Sequence, residues 1–529
     1  MKFLWLRDAL VSVIFENDDI VAVDKPYGFD THTNEAKAGQ ADFIQPGLIE
    51  LYEKQRAEKL YIVHRLDRTT TGVIVFARSE MAAKVYQGFF RARETKKTYE
   101  FVTASKSKTS TASSREPILR NGIDLEASTD FVRRSQSGGF ELWEATPHTG
   151  RNHQIRIHAA AAGLSLLGDD KYGGAEFPFI CLHNRRIEFP NGIIIESKSP
   201  RYFDDLSFLN DVPLARALVE IEKRERIFQL KGADEKRIKS EPASLRLIHT
   251  AKQSSDRGLS LDQFGERLVL SWYKDQWSTS DRQTYQRLSE ILKISIVVRF
   301  LKEPREPEFL GSDGASKDKW IANESGQKHE IRFNGLGLFL DQRVQRQWVK
   351  ENTKDKSVLN LFSYTCGFGV AAALGGASSV TSVDLNKNVL NWGRENFALN
   401  DIDGINQGKL VFLCREAIQF LEQAKAKKQT FDLIVCDPPN FGRHDKQIFK
   451  IEVEIDRLLG LSIERLNPQG QLLFSTSSDK LFIADIRRKF EFLQKELKLK
   501  TLDLASVQPS LDFEAPGETP GLKSFLISI

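Results

Sequence analysis

A nine-residue polar segment, residues 64–72, lies between two apolar runs and strongly constrains the fold of the N-terminal part of the chain. Its sequence is H-R-L-D-R-T-T-T-G; it follows L-Y-I-V and precedes V-I-V-F-A. Such runs are typical of buried β-strands, so the segment is predicted to be the loop that joins them. Loops held by rigid strands commonly carry catalytic residues. Considered alone, the loop has an alternative explanation, in which Asp67 caps a turn and its charged neighbours are solvated.

A second polar cluster favours the catalytic interpretation. Residues 150–158 have the sequence G-R-N-H-Q-I-R-I-H, and residues 167–174 have L-G-D-D-K-Y-G-G. Helical spacing places Arg156 on the same face as Asn152 and Ala159, so one side of the helix can pack while Arg156 projects from the other. We expect this arginine to pair with a buried carboxylate.

Together the two clusters resemble the hallmark motifs of RluA-type pseudouridine synthases, over roughly residues 11–190. The resemblance implies a mixed or antiparallel-sheet fold, with Asp67 as the catalytic carboxylate, Tyr99 packed against the flipped uracil and Arg156 orienting Asp67. Thr71 stands where the family more often has Ser, and Asn152 where it more often has Thr or Ser.

The chemistry of pseudouridine formation agrees with these residue types. The uridine must leave its stack before a carboxylate can act on the sugar or base and help to move protons. This half of the chain is expected to need no cofactor and no metal.

Composition excludes several other classes of protein. With 40% hydrophobic and 28% charged residues, the chain is typical of a globular protein. Its net charge is only +4, so the whole molecule is not a polycation. A local basic patch near Tyr99 is nevertheless suited to RNA phosphates, or it forms a solvated helix face; it consists of Lys84, Arg91, Arg93, Lys96 and Lys97. Four scattered cysteines predict neither disulfides nor a zinc site. We expect a cytoplasmic protein without a membrane segment.

The length of 529 residues predicts about three domains. We expect a pseudouridine synthase domain at 1–204, a charged helical connector at 205–240, a small α/β domain at 241–325 and a methyltransferase domain at 326–529. The small domain contains L-x-L-D-x-F-G-x-x-L-V-L, which is similar to the substrate-side domain of RlmI-type rRNA methyltransferases. Its predicted helix covers 281–292 and its last predicted strand covers 294–301.

The last part of the chain contains a nucleotide-type βαβ pattern. A buried-strand run at 358–362 leads into S-Y-T-C-G-F-G, then a helix rich in small residues, then a second strand that ends in Asp384. An acid at that position can bind ribose hydroxyls. A further strand ends in the sequence D-P-P-N-F at 437–441.

These motifs resemble class I S-adenosylmethionine (SAM) methyltransferases, in particular the RlmI/RlmK/RlmL branch that acts on large-subunit rRNA. The resemblance implies a Rossmann-like fold and SAM as the cofactor. It implies that the target base is held by Asp437, Pro438, Pro439 and Phe441, and that the cofactor site is lined by Asp341, Phe362, Ser363, Tyr364, Thr365, Gly367, Asp384 and, near the adenine, Glu416. The family usually has Gly where Cys366 stands, and Asp where Glu416 stands.

The methyl acceptor is expected to be a nitrogen, with guanine favoured by similarity to the RlmK branch. Relatives that methylate cytosine carbon 5 need a nucleophilic Cys, commonly in a strand end where this chain has Thr476. Cys436 lies in a predicted buried strand, where a small unreactive hydrophobe is expected.

The sequence therefore predicts a bifunctional RNA-modifying enzyme, with 23S rRNA as its substrate. Two alternatives remain open. One half has lost catalysis and serves as an RNA-docking module for the other, or the second half methylates a protein or a small molecule.

Overall fold

The computed structural model of the protein describes residues 2–4, 12–33, 46–228, 244–248, 258–302, 305–311, 319–333, 335–404, 408–444, 447–499, 501–507, 510, 513 and 521–529. The segment 229–240, which is the second part of the expected connector, lies outside these residues.

The N-terminal part is built around one mixed sheet. The strands in this part of the chain, of which β1, β8 and β9 lie outside the sheet, are β1 (Lys2–Leu4), β2 (Val13–Glu16), β3 (Ile20–Lys25), β4 (Tyr61–Ile62), β5 (Thr71–Ala77), β6 (Lys96–Thr103), β7 (Thr111–Ser114), β8 (Ile118–Arg120), β9 (Ile123–Leu125), β10 (Thr129–Ser137), β11 (Phe140–Pro147), β12 (Leu182–Glu188) and β13 (Ile194–Glu196). Its helices are α1 (Leu48–Arg56), α2 (Glu80–Arg91), α3 (Gln154–Ala161), α4 (Arg201–Asp204) and α5 (Val212–Phe228). Single turns of 3₁₀-helix lie at Asp170–Tyr172 and Leu206–Asn210.

The order of this sheet is β2-β3-β5-β12-β6-β11-β10-β7, with β4 paired to β5 and β13 to β12. Strands β3 and β5 are buried along their whole length because hydrophobic clusters cover both faces of the sheet. The predicted buried strand after residues 64–72 is therefore confirmed, whereas the apolar run before them forms only the two-residue, partly buried strand β4. Strand β1 does not join this sheet; it pairs in parallel with a strand of the C-terminal sheet, β28 (Asp503–Val507).

Helix α5 packs against two cores. Ala215 and Val219 lie in the core of the first sheet, with Tyr202 among others, whereas Leu214 and Leu218 lie in the core of the middle sheet. The described part of the expected connector is therefore a helix whose two faces are both buried, and it joins the two units by apolar packing.

The middle part is a small α/β unit. Its elements are β14 (Ser244–Ile248), β15 (Leu259–Phe264), β16 (Arg267–Trp272), α6 (Thr279–Leu292), β17 (Ile296–Phe300), β18 (Glu308–Leu310) and the hairpin of β19 (Lys319–Glu324) and β20 (Gln327–Arg332). Strands β14 to β18 form a sheet in chain order, and β16 and β17 are parallel. Gly265, with a positive φ of 63°, lies in the turn between β15 and β16, and the predicted helix is confirmed, starting two residues earlier.

The C-terminal part is a doubly wound α/β unit. Its elements are a 3₁₀ turn (Leu340–Gln342), α7 (Arg343–Asn352), β21 (Ser357–Leu361), α8 (Gly367–Leu374), β22 (Ser379–Asp384), α9 (Lys387–Leu399), β23 (Leu410–Cys414), α10 (Ala417–Ala426), β24 (Phe431–Cys436), β25 (Phe441–His444), β26 (Gln447–Lys450), α11 (Ile451–Glu464), β27 (Leu466–Thr476), α12 (Ile483–Glu496), β28 and β29 (Lys523–Ser528).

Its sheet has the order β1-β28-β29-β27-β24-β21-β22-β23. Strands β23, β22, β21, β24 and β27 are mutually parallel, and β29 runs antiparallel to β27. The chain direction across the sheet reverses at β21 and β24, and ligands of such sheets bind outside the carboxyl ends of the strands at this point. The predicted βαβ unit and the strand that precedes D-P-P-N-F both lead to this edge.

The helices within the described ranges include no segment that is both long and apolar enough to cross a membrane.

Candidate active sites

The loop that carries Asp67 is fastened to the strand-end turn at residues 25–28. The buried Lys25 amine donates to the carbonyl oxygens of Arg68 (3.0 Å) and Thr70 (2.8 Å), and the N–H of Gly28 donates to the carbonyl of Arg68 (3.0 Å). Burial is the main reason why the pKa of Lys25 is lowered to about 7. The sequence motif D-K-P-Y-G therefore acts as a backbone clamp under the Asp67 loop.

Asp67, Tyr99 and His153 lie close together beside this loop. The Asp67 side chain is 32% exposed, and its Oδ2 atom lies 3.8 Å from Nε2 of His153. Tyr99 lies on β6, and its pKa is raised by burial first and by the charge of Asp67 second. The structure thus brings a half-exposed carboxylate and an aromatic ring together, as the sequence predicts, and adds a histidine to them.

Arg156, which is predicted to orient Asp67, forms its described ion pair with a different carboxylate. The Arg156 guanidinium instead binds the fully buried Asp169 through Nε (2.7 Å) and Nη2 (2.6 Å), and it also lies over the Tyr172 ring. Asp67 influences Arg156 only through its charge. The expectation of a buried carboxylate partner holds, but the partner belongs to the L-G-D-D-K-Y-G-G segment.

Local hydrogen bonds explain the shape of the G-R-N-H-Q-I-R segment. The Gln154 side chain accepts from the Thr149 hydroxyl (2.6 Å) and the Arg151 N–H (3.0 Å), and it donates to the Ser128 carbonyl (3.0 Å). His153 has a left-handed backbone conformation (φ 56°) immediately before α3. This geometry turns the His153 side chain toward Asp67.

His64 is not a cationic member of the site. It stacks on Phe90 at 4.8 Å between ring centroids, and its Nε2 atom accepts from the Val75 N–H (3.1 Å). Burial, followed by the charge of Lys97, lowers the pKa of His64 to about 3. His64 therefore anchors the loop in its neutral form.

A large open cleft surrounds Asp67. It has a volume of about 1540 Å³, and its lining includes the acids Asp30, Glu50 and Asp67 and the cations Arg65, Arg68, Arg91, Arg93, Lys97, Arg120, Arg151 and Arg156. Three members of the predicted basic patch, Arg91, Arg93 and Lys97, thus face the cleft. The excess of cations makes this surface attractive to a polyanion.

A second candidate site lies at the carboxyl edge of the C-terminal sheet, around the turn after β21. Phe362, Tyr364 and Cys366 all have positive φ values (54°, 47° and 62°), which strain non-glycine residues and concentrate at functional sites. Asp384, at the end of β22, accepts the Tyr364 N–H (2.8 Å) through Oδ2 and the Asn386 N–H (2.9 Å) through Oδ1. Its pKa is raised by burial.

The other predicted cofactor residues have different roles in this turn. The side chains of Ser363 and Thr365 are buried, and the Thr365 hydroxyl donates to the Gly337 carbonyl, so these two residues can offer only backbone groups to a ligand. Gly367 begins α8, and a Cβ atom there would lie 3.3 Å from Cδ of Arg346. Glu416 caps α10 by accepting the Gln419 N–H (2.7 Å), and it is partly buried.

Asp341 and Asp437 are neighbours across the switch point. Burial is the main cause that raises the pKa of Asp437 to about 7, and the charge of Asp341 raises it further. The Gln342 side chain is hydrogen-bonded to Asp437 and accepts from the Ser475 hydroxyl at 3.4 Å. Two carboxyl groups thus lie close together, and burial together with their mutual repulsion disfavours the simultaneous ionisation of both.

Exposed aromatic rings flank this carboxyl pair in sequence. Phe441, which ends the D-P-P-N-F segment after the buried Pro438 and the exposed Pro439, is 56% exposed. Phe339, two residues before Asp341, is 58% exposed and its ring lies 5.3 Å from that of Tyr364. Phe339 was not predicted from the sequence as a site residue, although an aromatic residue two positions before the candidate site residue Asp341 could have indicated one.

Two cysteines near this site, Cys436 and Cys366, are poor nucleophiles. Cys436 is fully buried at the end of β24, and burial raises the pKa of its thiol well above the ordinary value. Burial also raises the pKa of Cys366 to about 11. Thr476, which stands in the place of a nucleophilic Cys, is fully buried as well.

The residues of the C-terminal site fit SAM. Asp384 keeps carboxylate oxygens at the strand end for ribose hydroxyls, and the strained turn presents backbone groups at the start of α8. When bound, this cofactor supplies an electrophilic methyl group.

Comparison with known proteins agrees with this two-site architecture. The family model for RNA pseudouridylate synthase matches residues 19–161, and the family model for S-adenosylmethionine-dependent methyltransferase matches residues 300–504. Together the matched ranges include both candidate sites.

Curated relatives match the chain over less than half of its length. The ribosomal RNA large subunit methyltransferase K/L of Shewanella sp. (strain ANA-3) is 34% identical over 240 residues, which are 42% of this chain and 33% of the relative. That of Shewanella pealeana is 40% identical over 238 residues, covering 42% and 32%. The chain thus spans about a third of the length of these relatives.

Solved structures show the fold. The structure of SMU.776, a provisionally assigned methyltransferase in complex with SAH, has a TM-score of 0.50 at 22% identity. The match covers 65% of this chain and 87% of the SMU.776 chain. A provisional SAM-dependent methyltransferase from Streptococcus mutans has a TM-score of 0.51 at 21% identity and covers 64% and 86%. The chain therefore contains an RNA pseudouridylate synthase domain followed by an S-adenosylmethionine-dependent methyltransferase domain.

Proposed function

We propose that this protein is a bifunctional RNA-modifying enzyme. The site that contains Asp67 isomerises uridine to pseudouridine, and the site that contains Asp437 methylates a base. The observation that carries the proposal is the presence of a complete set of reactive groups in each half. The first half has a half-exposed carboxylate beside Tyr99 in a cation-rich cleft, and the second has a pair of interacting carboxyl groups, Asp341 and Asp437, with Asp437 at the same edge of the sheet as Asp384.

In the first site, Asp67 acts on the flipped uridine while Tyr99 packs against the base. The clamp from Lys25 holds the backbone of the loop, so that the carboxylate needs little reorganisation to reach the sugar or base. Arg156 supports the site indirectly, because its pairing with Asp169 fixes the helix next to His153. Phosphates of the bound RNA are expected to contact Arg65 and the other cleft cations.

In the second site, Asp384 and the backbone of residues 362–367 bind SAM, and Glu416 lies at the adenine end. Asp341, whose charge acts on Asp437, is proposed to line the cofactor site as well. Asp437, with a pKa of about 7, accepts a hydrogen bond or a proton from an amino group of the acceptor base, while Pro438, Pro439 and Phe441 hold that base.

We infer that the acceptor is a nitrogen, with guanine favoured. Attack by carbon 5 of cytosine requires a thiolate that adds to the ring. Among the described residues of this site, Cys436, next to Asp437, and Cys366 are buried with raised pKa values. The exposed Cys414 pairs with Asp384 at the end of β23, three strands away from β24, which carries Asp437 at its end, so the acceptor end of the site has no reactive cysteine beside it.

The substrate is proposed to be 23S rRNA, because the curated relatives carry names of large-subunit rRNA methyltransferases. We propose a cytoplasmic location on the same basis. We also propose the domain limits 1–204, 205–240, 241–325 and 326–529, with the strand Lys2–Leu4 contributed to the last domain.

The test is incubation of the purified protein with a large-subunit rRNA transcript and SAM, followed by mass spectrometry of the nucleosides. Pseudouridine together with a methylguanosine is expected. Absence of both products from rRNA would contradict the proposal, and a single product would favour the alternative in which one half only docks RNA.

A further inference from the structure

A small hairpin projects at the rim of the Asp67 cleft. Strands β8 and β9 pair only with each other among the described residues, outside the main sheet. Their turn consists of Asn121 and Gly122, both with positive φ (51° and 78°), which is typical of a tight two-residue hairpin. A Cβ atom built on Gly122 would have no described atom within 4 Å. The tip therefore extends into solvent.

The base of this hairpin is firmly attached to the cleft wall. Nε2 of His158, which is fully buried, lies 2.9 Å from the Glu116 carbonyl oxygen, and Nε of Arg151 donates to the Glu126 carbonyl at 3.1 Å. The Glu126 carboxylate also pairs with Arg93 at 3.1 Å. Since Arg93 and Arg151 line the cleft, the hairpin is held in a fixed place beside it.

One face of the hairpin tip is directed to the cleft and carries an exposed apolar side chain. Arg120 lines the cleft, and it is directly paired with Ile123, so both side chains lie on the same face. Ile123 is 63% exposed. Leu119, which is 68% exposed, pairs with Asp124 and lies on the opposite face.

We propose that Ile123 is a wedge that enters the base stack of a structured RNA when the target uridine turns out toward Asp67, while Arg120 binds a neighbouring phosphate. The excess of cations over acids along the cleft identifies the occupant as RNA. Unstacking a base costs a few kcal/mol, and apolar side chains that insert between bases offset this cost in other nucleic-acid complexes. This inference rests on the proposed isomerase activity.

The inference predicts a dependence on RNA structure that a general binding role would not produce. The probe is a large-subunit rRNA fragment that the wild-type protein isomerises, prepared with the target uridine paired in a stem and, separately, with the opposite strand mismatched. Ile123→Ala is expected to slow single-turnover isomerisation of the paired form by about tenfold. The mismatched form, whose uridine is already unstacked, should react at nearly the wild-type rate.

Leu119→Ala is the matched control, because it removes a similarly exposed side chain from the other face of the same hairpin. It should leave both rates within about twofold, as expected for an exposed surface substitution. Ile123→Leu should restore the rate on the paired form. The inference is overturned if Ile123→Ala slows both RNA forms equally, or if Leu119→Ala has the same effect as Ile123→Ala.

The alternative occupant of the hairpin tip is a second copy of this chain. Sedimentation would then show a dimer that Ile123→Ala dissociates, without any difference between the two RNA forms, and that result would also overturn the inference. If the wild-type protein isomerises neither RNA form nor full-length rRNA, the proposed function itself fails, whatever the hairpin does.

Discussion

Arg156 and Asp169 form a buried two-point ion pair, with Nε to Oδ2 at 2.7 Å and Nη2 to Oδ1 at 2.6 Å. This pair joins α3 to the turn at residues 170–172 and leaves Asp67 free of a direct arginine contact in the described part of the chain. The nearest histidine nitrogen to Asp67, Nε2 of His153, is 3.8 Å from it. Asp67, the proposed catalytic carboxylate, is thus positioned by the backbone of its loop and not by an arginine in the described part of the chain.

Asp169→Asn should strongly destabilise the first domain, because it leaves the Arg156 guanidinium buried without its counter-charge. The expected loss of unfolding free energy is about 3 to 5 kcal/mol, measured by chemical denaturation. Glu422→Gln, which breaks the exposed pair with Arg457, is the control and should cost under about 1 kcal/mol. Equal losses for the two variants would contradict the structural role of the buried pair.

Asp384→Ala should weaken SAM binding, because hydrogen bonds to a charged group contribute about 1.5 to 3 kcal/mol. Calorimetry should therefore give a Kd raised by about tenfold to 150-fold. Asp503→Ala removes an exposed carboxylate from β28 and should leave the Kd unchanged. Unchanged binding by Asp384→Ala would show that the ribose is held elsewhere.

Methyl transfer should increase with pH around the Asp437 pKa of about 7, because only the ionised carboxylate accepts a proton. At saturating SAM and RNA, the single-turnover rate should rise between pH 6 and pH 8, and Asp437→Asn should be slow and independent of pH in this range. A wild-type rate that stays flat across this range would contradict the assignment.

The same raised pKa has a consequence for stability. The folded-state pKa of Asp437 exceeds the value of about 3.9 in an unfolded chain, so protonation favours the folded state. The stabilisation is fully present below about pH 4 and is lost as the pH rises through about 7. Asp437→Asn should remove this component of the pH dependence of unfolding free energy.

Methylation should survive removal of the cysteines. Cys436→Ala and Cys414→Ser should both retain a methylguanosine product in nucleoside mass spectrometry, because a nitrogen acceptor needs no covalent intermediate. Detection of 5-methylcytidine that disappears in either variant would contradict this inference.

The two site-bearing sheets could be predicted from local sequence, because buried strands and glycine turns leave strong local patterns. The apolar runs around residues 64–72 predicted β5, and the β21–α8–β22 unit was predicted with its terminal acid. Local patterns identified the loop of Asp67 and the strand end of Asp437 in the same way.

Pairings between distant segments could not be predicted in the same way. Arg156 has two carboxylates within electrostatic range, Asp67 and Asp169, and only the three-dimensional path of the 167–174 segment decides between them. The neutral state of His64 likewise depends on burial against Phe90, which the loop sequence does not encode. The double packing of α5 depends on two cores at once.

The most direct test of two independent catalytic centres compares wild-type protein with Asp67→Asn and Asp437→Ala on the same large-subunit rRNA transcript with SAM. Nucleoside mass spectrometry measures pseudouridine and methylated bases in each reaction. Asp67→Asn should abolish pseudouridine and keep methylation, whereas Asp437→Ala should abolish methylation and keep pseudouridine. Near wild-type pseudouridine formation by Asp67→Asn, or loss of both products in each variant, would contradict the account.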